Sequence, residues 1–239
     1  MSGGTAGAGA RPARRRVTTV HLMLALTFAA GVVDATSYLR LGQVFAGNVT
    51  GNVIILGMVA TGETDLPVLG HFVALTFFAL GAVVAGRVLR TAVPGWSRRC
   101  TGLLAGVGLV LAATAGGVAV AGTESGAARA VTASFLALAM GAQAATARHL
   151  GVKDVTTVVI TTTVAALAAD SRFGSARGRE AAPRRAAAIV LIALGAVTGG
   201  ALCLVHEALA VAVAALIVLV VTGLGDAQAV HEAGEATRP

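Results

Sequence analysis

Apolar residues run along this chain in long stretches that are separated by short polar segments. Each of the six longest stretches approaches the ~20 residues that a helix needs to cross a bilayer. Most of them have no polar face of the kind that helices of soluble domains carry. The pattern therefore predicts an all-α membrane protein with six transmembrane helices. The predicted spans are residues 17–39, 67–89, 103–122, 127–147, 186–205 and 208–225.

Two further apolar segments, Val49–Thr61 and Val155–Ala169, are shorter than the usual minimum of about 17 residues for a span. We expect them to be re-entrant or broken half-helices. Arginines flank the second of them on both sides, and other arginines follow the span at 67–89. Because Lys and Arg mark cytoplasmic loops, each short segment should enter and leave on one side, with both termini cytoplasmic. The alternative of eight full spans would place arginines outside the cell.

Composition agrees with a membrane protein, since 56% of the residues are hydrophobic and only 12% are charged. A soluble domain carries about 25% charged residues. The net charge of +7 lies mainly at segment ends, where topology and anionic lipid explain it better than nucleic acid does. Cys100 and Cys203 are far apart and predict neither a disulfide nor a metal site.

The chain divides into a membrane domain and two terminal segments. Residues 1–16 are predicted to be a disordered basic tail, residues 17–225 a single membrane domain, and residues 226–239 a flexible tail. A basic start followed by an apolar run is also typical of a signal peptide. More membrane sequence follows here instead of a secreted domain, so a retained first helix is the stronger prediction.

An internal repeat is indicated by FALGAVVAG at 78–86 and IALGAVTGG at 192–200, which agree at six of nine positions. Upstream, Gly31 and Thr36 align with Gly141 and Thr146. The predicted copies are residues 17–122 and 127–225. Three crossings per copy would invert the second copy relative to the first. Inverted repeats with interrupted helices are typical of many secondary transporters, although a duplicated scaffold remains an alternative.

Polar residues near the two short segments are the candidates for function. Asp34 would cost about 2.5 to 3.5 kcal/mol at the centre of a membrane helix, so it is either a proton or cation site or a structural acceptor. Polar groups in NVTGN could contact a solute or cap a half-helix. Threonines of the second short segment could do the same or only join helices. The candidate residues are Asp34, Asn48, Thr50, Asn52, Gln143, Thr157 and Thr161.

Both halves carry motifs that resemble those of the YoaK-type bacterial membrane proteins, a family defined by a domain of unknown function. The first half matches the family pattern at Gly31, Asp34, Ala35, Phe45, Thr50, Gly51 and Asn52. The second half matches it at Met140, Gly141, Gln143, Ala145, Thr156, Thr157, Thr161 and Thr163. It departs from the pattern at Ala144 and Thr162. The resemblance implies an inner-membrane protein with about six spans and no established activity.

Two hypotheses about function follow. The first is a small-solute transporter or permease, without a cofactor, whose site lies where the two short helices meet and which is proton-coupled through Asp34. The second is a scaffold or regulator that binds partners through the Arg-rich loop Ser171–Arg185. No catalytic motif occurs in the sequence, so an enzyme is not expected. Lipid is the expected surrounding partner, nucleic acid is not expected, and a homo-oligomer is left open.

Overall fold

In the computed structural model, residues 19–62, 68–151, 160–170 and 182–236 are described, and these form α-helices and loops without a strand. The predicted all-α membrane fold is confirmed. The helices are α1 Thr19–Arg40, α2 Val49–Val59, α3 Val68–Leu89, α4 Arg98–Ala121, α5 Gly126–Leu150, α6 Ile160–Ala169, α7 Ala182–Val205 and α8 Glu207–Ala236.

Six of these helices are long and apolar enough to cross a membrane, and they coincide with the six predicted spans. The largest differences in boundaries are at the start of α4 and the end of α8. Helix α4 begins earlier than expected because Ser97 accepts a hydrogen bond from the Cys100 N–H and caps it. Helix α8 continues to Ala236, so most of the segment predicted as a flexible tail is helical.

Large apolar side chains on the outside of the bundle indicate a lipid environment. Val120 of α4 is 91% exposed and Leu204 of α7 is 85% exposed. Only 22% of the most apolar window of α3 and of α7 is buried inside the protein. Such surfaces are unusual on a soluble monomer, but a hydrocarbon solvent favours them.

Contacts between helix ends establish the direction of each long helix. His71 at the start of α3 contacts the Gln43 carbonyl just after α1. Thr123 after α4 donates a hydrogen bond to Glu207 at the start of α8. Arg40 lies in the same cavity as Thr123 and Glu207, so we call this the Arg40 end of the bundle. Helices α1 and α4 end there, whereas α3, α5 and α8 begin there.

The opposite end is fixed by the indole of Trp96, and we call it the Trp96 end. Trp96 donates to the Thr101 hydroxyl, which donates to Asp226 of α8 at 3.0 Å. His149 at the end of α5 contacts the Val93 carbonyl after α3. These bonds join the loop between α3 and α4, and the start of α4, to the last turn of α5 and to Asp226 of α8.

Glycines allow two pairs of long helices to cross at close range. A Cβ at Gly31 of α1 would collide with the Ile192 carbonyl of α7. In the second pair, a Cβ at Gly141 of α5 would collide with the Phe78 carbonyl of α3. Without side chains at these points the backbones approach closely, as small residues permit in membrane helices. The α1–α7 and α3–α5 pairs have the most extensive contacts in the described bundle.

Each short helix packs on the long helix that follows it, α2 on α3 and α6 on α7. Helix α1 ends and α3 begins at the Arg40 end, so the chain through α2 enters and leaves there. Helix α7 runs alongside α1, since Arg40 donates a hydrogen bond to the Cys203 carbonyl. It therefore begins at the Trp96 end, where α5 finishes, and α6 lies between them in the chain.

Candidate functional site

The carboxylate of Asp34 holds the first turn of α2. Its Oδ1 accepts hydrogen bonds from the backbone N–H groups of Gly47 at 2.6 Å and of Asn48 at 3.3 Å. Asn48 is the N-cap residue of α2, but its own side chain makes no capping bond. Asp34 therefore supplies the negative charge and the acceptor that a helix start favours, from a neighbouring helix.

The amide of Asn52 is buried and pairs with the backbone of Phe45 in both directions. Its Oδ1 accepts from the Phe45 N–H at 3.0 Å, and its Nδ2 donates to the Phe45 carbonyl at 2.6 Å. The Phe45 ring stacks on Tyr38 and lies so close to Gly51 that a Cβ there would collide with it. Asn52 thus holds the loop that it follows in the chain.

Two further residues hold the same loop, and sequence reasoning missed them. Ser37 accepts a hydrogen bond from the Ala46 N–H at 3.2 Å and donates to the Asp34 carbonyl. His71 is fully buried and its Nε2 lies 3.3 Å from the Gln43 carbonyl. Ser37 follows Asp34 by three residues, and this spacing places both on one helix face. No sequence signal pointed to His71.

We call residues 42–48, with the side chains of Asp34, Ser37, Asn52 and His71 that hold them, the α1–α2 latch. Gln43 in this segment adopts a positive φ of 61° and follows Gly42 at 81°. The chain turns sharply here before α2. Four of its backbone N–H groups and two of its carbonyls find side-chain partners instead of lipid.

The side chains of the remaining candidates from the first short segment take no part in holding the latch. Asn48 and Thr50 are exposed. In the second short segment Thr161 is also exposed, whereas Thr157 lies outside the described residues. The structure therefore brings the side chains of Asp34 and Asn52 to one loop, where Asn48 takes part only through its backbone N–H, and leaves Thr50 and Thr161 exposed.

Gln143 occupies a different environment, in the buried contact between α5 and α1. Its side chain is 1% exposed, and its Nε2 donates to the Leu26 carbonyl at 3.3 Å. Within the described part of the chain, its Oε1 is buried and accepts no hydrogen bond. Reversing the amide would place this oxygen against the Leu26 carbonyl oxygen, so the hydrogen bond fixes the orientation.

The expected meeting of the two short helices is wrong for the residues that the structure describes. There, no contact joins Val49–Val59 to Ile160–Ala169. Each short helix instead contacts the long helix that follows it in the chain. The scaffold hypothesis relies on the loop Ser171–Arg185, of which residues 171–181 lie outside the described residues. In the described part, Arg185 forms an ion pair with Asp170, with 2.7 Å between the Arg185 Nη1 and the Asp170 Oδ2.

A polar cavity of about 360 Å³ opens at the Arg40 end. Arg40, Glu124, Arg129 and Glu207 supply charges of both signs to its wall. Arg129 donates to the Thr123 carbonyl at 2.8 Å, so part of its guanidinium is used within the protein. In the described ranges no group of three or more His, Cys, Asp or Glu residues could hold a metal ion.

Comparison with known proteins agrees with this architecture. Residues 22–224 match the family described as Protein of unknown function (DUF1275). The chain belongs to this family. Among its relatives, the UPF0700 transmembrane protein YoaK of Bacillus subtilis (strain 168) is 28% identical over 186 residues, which cover 74% of this chain and 80% of the relative. No solved structure matches.

Membership in the DUF1275 family and the six long apolar helices identify a multi-pass membrane protein. The resemblance noted in the sequence is thereby confirmed. The DUF1275 description assigns no activity, so function has to be argued from the side chains of this chain.

Proposed function

We propose that this protein is a secondary transporter or permease for a small solute that can donate hydrogen bonds. The observation that carries the proposal is the unpaired Oε1 of Gln143 in the contact of α1 and α5. A buried polar atom without a partner costs about 1–3 kcal/mol. A passing solute or water molecule could supply the missing donor when the helices separate.

A comparison within the chain supports Gln143 rather than its neighbours. Thr146, one turn further along α5, is also fully buried, but its hydroxyl donates to the Ala142 carbonyl at 2.8 Å. Thr27 and Thr36 of α1 bond in the same way to the carbonyls four residues earlier. These hydroxyls are satisfied within their own helices, whereas the amide of Gln143 is only half satisfied.

We further propose that the halves 17–122 and 127–225 are inverted repeats, the architecture in which one half rocks against the other. The glycine crossings support this. The alignment of the two halves pairs Gly31 with Gly141 and Ile192 with Phe78. The Gly31–Ile192 contact on one side therefore corresponds to the Gly141–Phe78 contact on the other. Helix α1 ends at the Arg40 end and α5 begins there, so the aligned helices run in opposite directions.

Proton coupling through Asp34 remains part of the proposal. Because the Asp34 carboxylate is bonded to loop backbone, Asp34 would act on the loop and not directly on the solute. Its Oδ1 is bonded to the backbone of Gly47 and Asn48. Protonation would remove the charge that strengthens these hydrogen bonds. Coupling would then act by loosening the α1–α2 latch and not by contact with the solute.

For location, the proposal places the protein in the bacterial inner membrane with the Trp96 end in the cytoplasm. Arg87, Arg90, Arg98 and Arg99 lie at or near that end, as the excess of Lys and Arg in cytoplasmic loops predicts. The proposal assigns no catalytic chemistry and no cofactor to the protein.

The test is uptake of radiolabelled solute into proteoliposomes, with and without an imposed proton gradient, screened with neutral amino acids, polyols and small amides. Gln143→Leu should fold at least as stably as the wild type, because it removes an unsatisfied acceptor, yet its uptake rate should fall at least tenfold. Thr146→Val is the matched control, since it removes a buried hydroxyl that is already satisfied. Equal uptake rates from the wild type and Gln143→Leu, or no uptake by the wild type with any solute class, would refute the proposal.

A further inference from the structure

A cleft of about 960 Å³ separates α3 from α5 towards the Trp96 end. Its walls are apolar and consist of Phe78, Ala82 and Gly86 from α3 together with Ala144 and Ala145 from α5. Among the described residues, no atom lies within 4 Å of the position that a Cβ on Gly86 would occupy. The cleft is therefore open where the two helices diverge beyond their glycine crossing.

The foot of the cleft is basic. Arg90, Arg148 and His149 line it at the ends of the two helices. Both arginines are exposed, and within the described residues neither pairs with a carboxylate. His149 contacts the Val93 carbonyl, which fixes the ring beside the arginines. The cleft thus combines apolar walls with two available guanidinium groups at one end.

The matching cleft on the other side of the bundle is filled by the protein itself. The alignment of FALGAVVAG with IALGAVTGG pairs Gly86 with Gly200. A Cβ on Gly200 would lie 3.7 Å from a methyl group of Leu39, and Arg40 there donates to the Cys203 carbonyl. Leu39 and Arg40 occupy the cleft between α1 and α7, whereas the aligned cleft between α3 and α5 is open. The protein can therefore close such a cleft with its own side chains, and helix packing does not explain why the α3–α5 cleft stays open.

We propose that the α3–α5 cleft binds an anionic phospholipid. One acyl chain would lie along the apolar walls, and the phosphate would lie between Arg90 and Arg148. Basic pockets between membrane helices bind anionic head groups in this way, and guanidinium groups suit phosphate oxygens. A free phosphate ion would use the arginines but would leave the apolar walls without a ligand, so the lipid fits the whole cleft.

The test uses full-length protein in a neutral detergent with phosphatidylglycerol or with phosphatidylcholine of the same acyl chains. Native mass spectrometry counts the lipids that stay bound. We expect one phosphatidylglycerol to be retained in preference to phosphatidylcholine. The double variant Arg90→Gln/Arg148→Gln should bind phosphatidylglycerol about 25-fold more weakly, which is about fivefold for each charge removed. The control Arg184→Gln removes an exposed arginine outside the cleft lining and should leave binding unchanged.

A second variant separates the apolar part of the site from the charges. Gly86→Leu places a side chain in open space inside the cleft, so it should fold normally and still displace the acyl chain. Inorganic phosphate tests the ionic part alone and should not compete with the lipid at millimolar concentration. The proposal fails if both lipids bind equally, if Gly86→Leu has no effect, or if phosphate displaces the lipid completely. None of these outcomes depends on solute transport, so the lipid site can fail or succeed independently of the proposed function.

Discussion

Asp34 of α1 caps α2 through the backbone of Gly47, with 2.6 Å between the Asp34 Oδ1 and the Gly47 nitrogen. A Cβ on Gly47 would lie only 3.3 Å from the other carboxylate oxygen. The carboxylate therefore lies directly against the loop backbone. An acid that is costly within a membrane helix is accommodated here because it provides hydrogen bonds that the bilayer cannot.

Removing the Asp34 side chain should destabilise the latch. Asp34→Ala leaves the Gly47 and Asn48 N–H groups without their acceptor, which should cost about 1–3 kcal/mol. Asp34→Asn keeps one acceptor oxygen and should cost less. Thermal unfolding in detergent ranks the stability of the wild type and the two variants. Amide hydrogen exchange at residues 45–52 should be faster in Asp34→Ala than in the wild type. Equal stability of all three proteins would show that the cap contributes nothing.

Asn52 should be more important for stability than its exposed neighbour. Asn52→Ala removes both hydrogen bonds to Phe45 from a buried position, and we expect a loss of about 1–3 kcal/mol. Thr50→Ala, on an exposed position of the same helix, should change the unfolding temperature very little. If Thr50→Ala were the more destabilising variant, the assignment of Asn52 to the latch would be wrong.

The glycine crossings should tolerate no added carbon. Gly31→Ala and Gly141→Ala each place a methyl group against a backbone carbonyl of the partner helix, and overpacking of this kind costs about 1–3 kcal/mol or more. Gly116→Ala on α4 meets open space and should gain up to about 1 kcal/mol from helix propensity. Yield of monodisperse protein and unfolding temperature provide the comparison. Similar behaviour of all three would argue against close α1–α7 and α3–α5 crossings.

The two ends of the bundle should lie on opposite sides of the membrane. Glu124→Cys reports on the Arg40 end and Arg98→Cys on the Trp96 end, while the native Cys100 and Cys203 are buried. A membrane-impermeant maleimide added to intact cells should label Glu124→Cys alone. Lysed cells should allow labelling of both variants. Labelling of Arg98→Cys in intact cells would reverse the proposed orientation.

Much of the fold could be predicted from sequence because the bilayer imposes simple length and polarity rules. An apolar run of about 20 residues predicts a span wherever it occurs, and all six predicted spans coincide with long helices. Val49–Thr61 was too short to cross, and α2 begins at Val49 and ends at Val59. Helix ends were less predictable, because local caps such as Ser97 decide them.

The candidate site could be predicted only in part. Asp34 and Asn52 were selected because polar groups are costly in a membrane, and that argument locates them without naming their partners. His71 and the Gln43 carbonyl are separated in the chain, and only the packing of α3 against the loop that follows α1 brings them together.

The sequence by itself determined the class of this protein, the number of its long helices and the polar residues that require an explanation. The tertiary structure decided what those residues touch. It assigned Asp34 and Asn52 to the α1–α2 latch, left the Oε1 of Gln143 unpaired, and kept α2 and α6 apart among the described residues. The physical reason is that hydrophobicity acts on each segment alone, whereas hydrogen-bond partners depend on how distant segments pack.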